Sequence, residues 1–128
     1  YSDTTSVIFL EESLHGDKLK TARRLFTEKI IASLPDVIIT SNDLIAQGII
    51  SAAHENGINI PNDMQITGFD DLLSSAYFIP SVTTVSQNID KLAKRCFSML
   101  MDLINKKSAV SSIIEQNIIA RNYAKINI

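Results

Sequence analysis

The sequence predicts an α/β fold, a three-layer arrangement around a parallel sheet, and three observations carry that expectation. Short apolar runs alternate with segments of helical period in the order strand, helix, strand, helix, strand. Two of the runs, Val37 to Thr40 and Met64 to Phe69, stop abruptly at small and acidic side chains. At 128 residues the chain is long enough to bury one core and short enough that a single domain is expected.

The elements follow in order. Val7-Ile8-Phe9-Leu10 has the length and branching of a short buried strand. Asp17 can cap a helix in which Leu19, Ala22, Leu25, Phe26 and Ile30 recur at helical spacing. Pro35-Asp36 breaks the chain before the strand Val37 to Thr40, after which Ser41, Asn42 and Asp43 are three candidate caps for a second helix. That helix carries Ile45, Ile49, Ala52 and Ala53 on one face and meets a stop at Asn56-Gly57. A turn at Ile60-Pro61-Asn62-Asp63 leads into the strand Met64 to Phe69. Leu72 to Pro80 reads as an irregular apolar stretch before the β-branched run Val82 to Val85, and the loss of period from Asp71 to Val82 marks the natural place for a hinge. A long helix over Ile89 to Asn105 bears a broad apolar stripe through Leu92, Ala93, Cys96, Phe97, Leu100, Leu103 and Ile104. Ile113 to Ile119 reads as a final strand.

Composition narrows the function. A net charge of −2 gives no electrostatic footprint for nucleic acid, so this chain alone should not hold DNA. Cys96 is the one cysteine, which rules out an internal disulfide and fits a reducing compartment. No run approaches the roughly 20 apolar residues needed to cross a bilayer, and Tyr1-Ser2-Asp3-Thr4-Thr5 lacks the start of a signal peptide. A cytoplasmic protein with no membrane partner is expected.

In an open parallel sheet, ligands bind beyond the carboxyl ends of the strands. Asn42 and Asp70 would share that crevice and offer an amide and a carboxylate to a molecule rich in hydroxyls. Each has a plainer reading. Asn42 can simply cap the helix that follows, and capping and ligand contact can coexist. Asp70-Asp71 can be a turn with solvated carboxylates. Gly68 suits a close approach of backbone to ligand or helix, or is a tolerated strand-end glycine. Tyr77 and Phe78 could stack on a ligand, but packing is the safer reading, and Cys96 reads as a small core residue. His15 and His54 have no serine or cysteine partner in a catalytic setting, so no enzyme is expected. No cofactor is implied, and no metal, because the spacing of Asp43, Asp70 and Asp71 matches no standard cation loop.

Five phrases carry a resemblance: Pro-Asp-Val-Ile-Ile-Thr-Ser-Asn-Asp at 35–43, Ala-Gln-Gly at 46–48, Asn-Gly-Ile-Asn-Ile-Pro-Asn-Asp at 56–63, Ile-Thr-Gly-Phe-Asp-Asp at 66–71 and Pro-Ser-Val-Thr-Thr-Val-Ser-Gln at 80–87. In this order and spacing, from about residue 5 to about 122, the chain resembles the C-terminal part of the effector-binding module of the lactose-repressor/galactose-repressor family of bacterial transcription regulators. The resemblance implies a truncated lobe of a periplasmic-binding-protein-like fold that clasps a small molecule, most naturally a sugar, between two lobes. It implies effector contacts from Asn42, Asp70 and Gln87, the last on the segment that crosses between lobes. Ile89 stands where relatives often carry an aromatic or apolar contact, and Tyr77 and Phe78 fall in a loop that relatives use at an interface. His15-Gly16-Asp17-Lys18 stands where the family often places an aromatic.

The resemblance further implies that residues 1–128 are a partial effector-binding domain. The crossover and helix over about 72–106 would pack on an N-terminal lobe lying outside the chain. Family members dimerise through the helix matching Leu44 to Asn56 and the loop Ser74 to Phe78, so a homodimer is expected, with DNA reached only through a helix-turn-helix domain that this chain lacks. Two rivals remain. One is a sugar-binding transport protein of the same fold. The other is an acid-pocket protein, such as a phosphoacceptor receiver or metal-dependent phosphatase, built on Asp70 and Asp71 with a third acid and a lysine. Lys18 and Asp43 are poor candidates for those roles.

Overall fold

The computed structural model describes residues 17–79 and 81–122; the expected strand at Val7 to Leu10 and His15 lie outside them. Helix α1 (Lys18–Leu25) begins at Asp17, whose Oδ1 accepts the Lys20 N–H at 3.1 Å. Its last turn widens into a π-helical turn over Phe26–Ile30 and a 3-10 turn over Ile31–Ser33. Strand β1 (Val37–Ile39) leads to helix α2 (Asp43–Glu55), capped by Asn42 and followed by Gly57 at φ 75°. Then come strand β2 (Gln65–Thr67), helix α3 (Leu73–Tyr77), strand β3 (Thr84–Ser86), helix α4 (Ile89–Ile104) and strand β4 (Asn117–Ile119).

β1 and β2 are parallel, with Ile38 opposite Ile66. A parallel bridge from Thr67 to Thr83 joins β2 to the segment entering β3, and β3 pairs antiparallel with β4. The α/β alternation and parallel pairing are therefore as the sequence predicts. Two details differ. The stretch Leu72 to Pro80 contains the short helix α3, and the last strand covers 117–119 rather than 113–119. Ser75 in α3 is buried and hydrogen-bonded, which fixes a helical turn that the apolar period does not announce.

The core lies between α1, α2 and the inner face of β1–β2. Ala22 and Phe26 pack with Ala46, Ile49, Ile50 and Ile66, all essentially inaccessible. α1 and α2 approach closely because residue 48 is glycine; a Cβ there would stand 2.5 Å from the Leu19 carbonyl oxygen and 2.8 Å from the Ala22 Cβ. Arg23 adds a polar clamp, its Nη2 donating to both Glu55 carboxylate oxygens at 2.8 and 2.6 Å.

α4 is different. None of its residues is buried, and its apolar stripe faces outward. It is tethered through Arg95, which donates to the Ser112 Oγ at 2.8 Å and the Val110 carbonyl at 2.7 Å. The expected core position of Cys96 is therefore corrected: the thiol is exposed, because the face that carries it is turned away from the α1–α2 layer. Among the described residues no helix is long and apolar enough to cross a membrane.

Candidate functional site

Three chain segments converge beyond the carboxyl ends of β1 and β2. The first is the entry to α2. The Asn42 Oδ1 accepts the Ile45 N–H at 3.0 Å, the cap expected of this residue at a helix start. The second is the loop after β2. The Asp43 N–H donates to the Phe69 carbonyl at 2.8 Å, so the helix start and this loop are stapled together. The third is β3, whose Val85 carbonyl accepts the Asp70 N–H at 3.0 Å.

Asp70 sits at φ 104° and Asp71 at φ 54°. Positive φ at residues with a Cβ costs on the order of 1–3 kcal/mol and persists only where surrounding bonds over-determine it. Those bonds are visible. The Gln87 Nε2 donates to the Asp70 Oδ1 at 2.5 Å, so two of the expected contact residues form one unit. Asp71 goes elsewhere: its Oδ1 accepts from the Arg121 Nη2 at 2.8 Å, while Arg121 also donates from Nη1 to the Val82 carbonyl and from its backbone N–H to the Thr83 Oγ1. The two neighbouring acids thus have separate partners, Asp70 bonded to Gln87 and Asp71 tying the segment after β4 to the body.

Beneath them lies Asp43, with 0% of its surface exposed. Its Oδ1 accepts from the Thr84 Oγ1 at 2.6 Å, and its Oδ2 accepts from the Ser75 Oγ at 2.7 Å and the Leu72 N–H at 2.8 Å. A Cβ at residue 68 would fall 2.0 Å from the Asp43 Oδ1, so Gly68 is required by a buried carboxylate of the chain itself. The acid-pocket rival needs Asp43 and Asp71 free to converge, and both are committed to internal donors. Among the described residues no group of three or more His, Cys, Asp or Glu side chains is placed to hold a metal ion.

An open cleft of about 400 Å³ lies in front of Asp70, lined by Asp70, Asp71 and Ser86 and by Asn88, Ile89, Asp90 and Lys91 at the start of α4. Ile89 therefore shares the opening with Asp70. Asn42 stands at the neighbouring helix start without lining this cleft. Tyr77 is 75% exposed on α3, away from the cleft, and Phe78 packs against the core. Sequence reasoning missed Thr84, Ser75 and Arg121, and it treated Asp43 only as a cap or a poor acid candidate. Chemically the cleft offers three carboxylates, a hydroxyl, an amide, an ammonium and one apolar side chain. That set suits a polar molecule with several hydroxyls, which carboxylates bind through charge-assisted hydrogen bonds.

Comparison with known proteins places this geometry. The profile of the periplasmic binding protein-like domain matches residues 5–122. The HTH-type transcriptional repressor PurR of Pasteurella multocida is 36% identical over 91 residues, covering 70% of this chain and 27% of that protein. The periplasmic binding ribose operon repressor protein of Lactobacillus acidophilus superposes with a TM-score of 0.77 at 30% identity, over 91% of this chain and 44% of that one. A LacI family transcriptional regulator of Enterococcus faecium with bound ribose shares the fold, with a TM-score of 0.76 at 24% identity over 82% of this chain and 40% of its own. The chain spans about a quarter of the length of the curated relatives it matches, and those relatives are transcriptional repressors. The chain belongs to the periplasmic binding protein-like domain family, in the form carried by regulators of the lactose-repressor/galactose-repressor type.

Proposed function

We propose that this chain is the effector-sensing part of a cytoplasmic bacterial repressor and binds a small molecule, a sugar, through Asp70, Gln87 and Asn42. The observation that carries the reading is Asp70, held at positive φ and bonded by Gln87, on the wall of an open cleft at the carboxyl ends of the strands. The ribose operon repressor, at 30% identity, supports a pentose-like effector. On this reading the protein is not an enzyme. Ligand binding biases the relative position of two lobes, and the bias reaches operator DNA through a separate helix-turn-helix domain.

The same reading accounts for α4. A stripe containing Phe97, Leu100, Leu103 and Ile104 is more than half exposed to water here, and large apolar side chains gain about 1.5–3 kcal/mol each on burial. The region over about 72–106 packs on a second lobe in the whole regulator, which works as a homodimer. Thermal unfolding of the chain and of a regulator that contains it, across a panel of pentoses, hexoses and nucleobases, tests the reading. A sugar that raises the midpoint, and loses that effect in Asp70→Ala, supports it. A response to nucleobases alone replaces the sugar, and no response from the regulator to any of them removes the effector assignment.

A further inference from the structure

Each of the three segments that carry the candidate contacts is bonded to one residue. Asp43 follows Asn42 directly, and its backbone N–H holds the Phe69 carbonyl one residue before Asp70. Its carboxylate holds the Leu72 N–H one residue past Asp71, and the Thr84 hydroxyl three residues before Gln87. The Thr84 Oγ1 in turn accepts the Asp71 N–H at 3.3 Å. A further arm runs from the Gln47 Nε2 to the Ser75 Oγ at 3.2 Å, and from the Ser75 Oγ to the Asp43 Oδ2. Gly68 leaves the room in which this carboxylate sits.

We propose that Asp43 is the positioning residue of the candidate contacts: a single buried carboxylate sets the relative placement of Asn42, Asp70 and Gln87. A buried anion with three donors is a stiff node, because any movement of one segment leaves a donor or the charge unsatisfied. The positive φ of Asp70 then follows from where Asp43 holds Phe69 and Leu72 on either side of it. The relevance of this placement to ligand binding rests on the effector reading above.

The test uses the isotopically labelled chain and reads Asp70 directly. The three-bond HN–Hα coupling of Asp70 is small at φ 104°, and it grows large if the residue relaxes to extended backbone. In Asp43→Asn and in Thr84→Val that coupling should rise and the Gln87 side-chain amide signals should move, while the Ala22 and Ile50 amides in the α1–α2 layer stay in place. Thr84→Ser, which keeps the hydroxyl, should restore both signals. Unchanged Asp70 and Gln87 signals in Thr84→Val would overturn the proposal even if Asp43→Asn fails to fold. So would a shift of Ala22 and Ile50 as large as that of Asp70, since that marks general loosening. With ribose as probe, Thr84→Val should weaken binding at least tenfold and Thr84→Ser should not. If the unaltered protein ignores ribose, ribose is set aside as effector while the coupling still decides the positioning role.

Discussion

In the α1–α2 layer Phe26, Ile49 and Ile50 are 0%, 2% and 1% exposed, whereas on α4 Phe97, Leu103 and Ile104 are 65%, 58% and 63% exposed. Both regions are helical, and both have apolar side chains recurring at helical spacing. The difference is what lies opposite. α2 has α1 on one side and Ile66 of β2 on the other, while α4 has no buried residue and is held to the described residues by the polar tether from Arg95 to Val110 and Ser112. Periodicity therefore specifies that a helix forms and which face seeks cover; the cover itself is a separate matter. An isolated helix of 16 residues is marginal in water, so α4 is the region whose stability depends most on a partner.

The sharpest way to break that comparison is one substitution made in both regions. Phe26→Ala should cost about 3–5 kcal/mol in denaturant unfolding, the usual penalty for emptying a filled core site. Phe97→Ala should change stability by less than about 0.5 kcal/mol, as an exposed position does. Equal costs, together with an unfolding midpoint that rises with protein concentration, would mean that α4 is covered by a second copy in solution.

A smaller effect separates packing around Asp43 from packing in the core. Gly68→Ala forces a methyl group to within 2.0 Å of one oxygen of a carboxylate that three donors hold in place. The expected cost is about 3 kcal/mol, the upper end for overpacking, because the obstacle is not a flexible side chain. Gly57→Ala meets nothing within 4 Å and is strained only by its φ of 75°, so about 1 kcal/mol is expected there. If both substitutions cost the same, Asp43 moves aside more readily than its three bonds suggest.

Much of the covered region was legible in the sequence, and the reason is local. Asp17 and Asn42 cap the helices that their positions predict, and Ile45, Ile49, Ala52 and Ala53 line the core face of α2. The pairing of Asp70 with Gln87 was not read as a bond: Asp70 stood out because it follows an apolar run at a strand end, whereas Gln87 came only from the family resemblance. What sequence reading missed is long-range and polar. The Asp71–Arg121 pair spans 50 residues and the Thr84–Asp43 bond spans 41, and neither leaves a period or a turn signal behind. α3 escaped because five residues are too few to show a helical period, and because its helix is fixed by the bonds of Ser75 rather than by an apolar face. Cys96 was misplaced for the opposite reason. Its apolar face was read correctly, but a single chain says nothing of whether that face is covered.

The mildest test concerns the seam between the two regions. Arg121 follows β4 and ties it back to the body through Asp71, the Val82 carbonyl and the Thr83 hydroxyl. The Arg121 and Asp71 side chains are 17% and 26% exposed, so solvent screens the pair in part. Arg121→Met keeps the apolar stem and removes the guanidinium, and about 1–2 kcal/mol should be lost. Where the loss falls matters more than its size. If the seam is a polar hinge between a packed body and a loosely held arm, hydrogen exchange should accelerate in β4 and β3 while the amides of α2 keep their protection. If α2 loses protection to the same degree, the arm and the body unfold together, and the contrast between them is one of exposure rather than of stability.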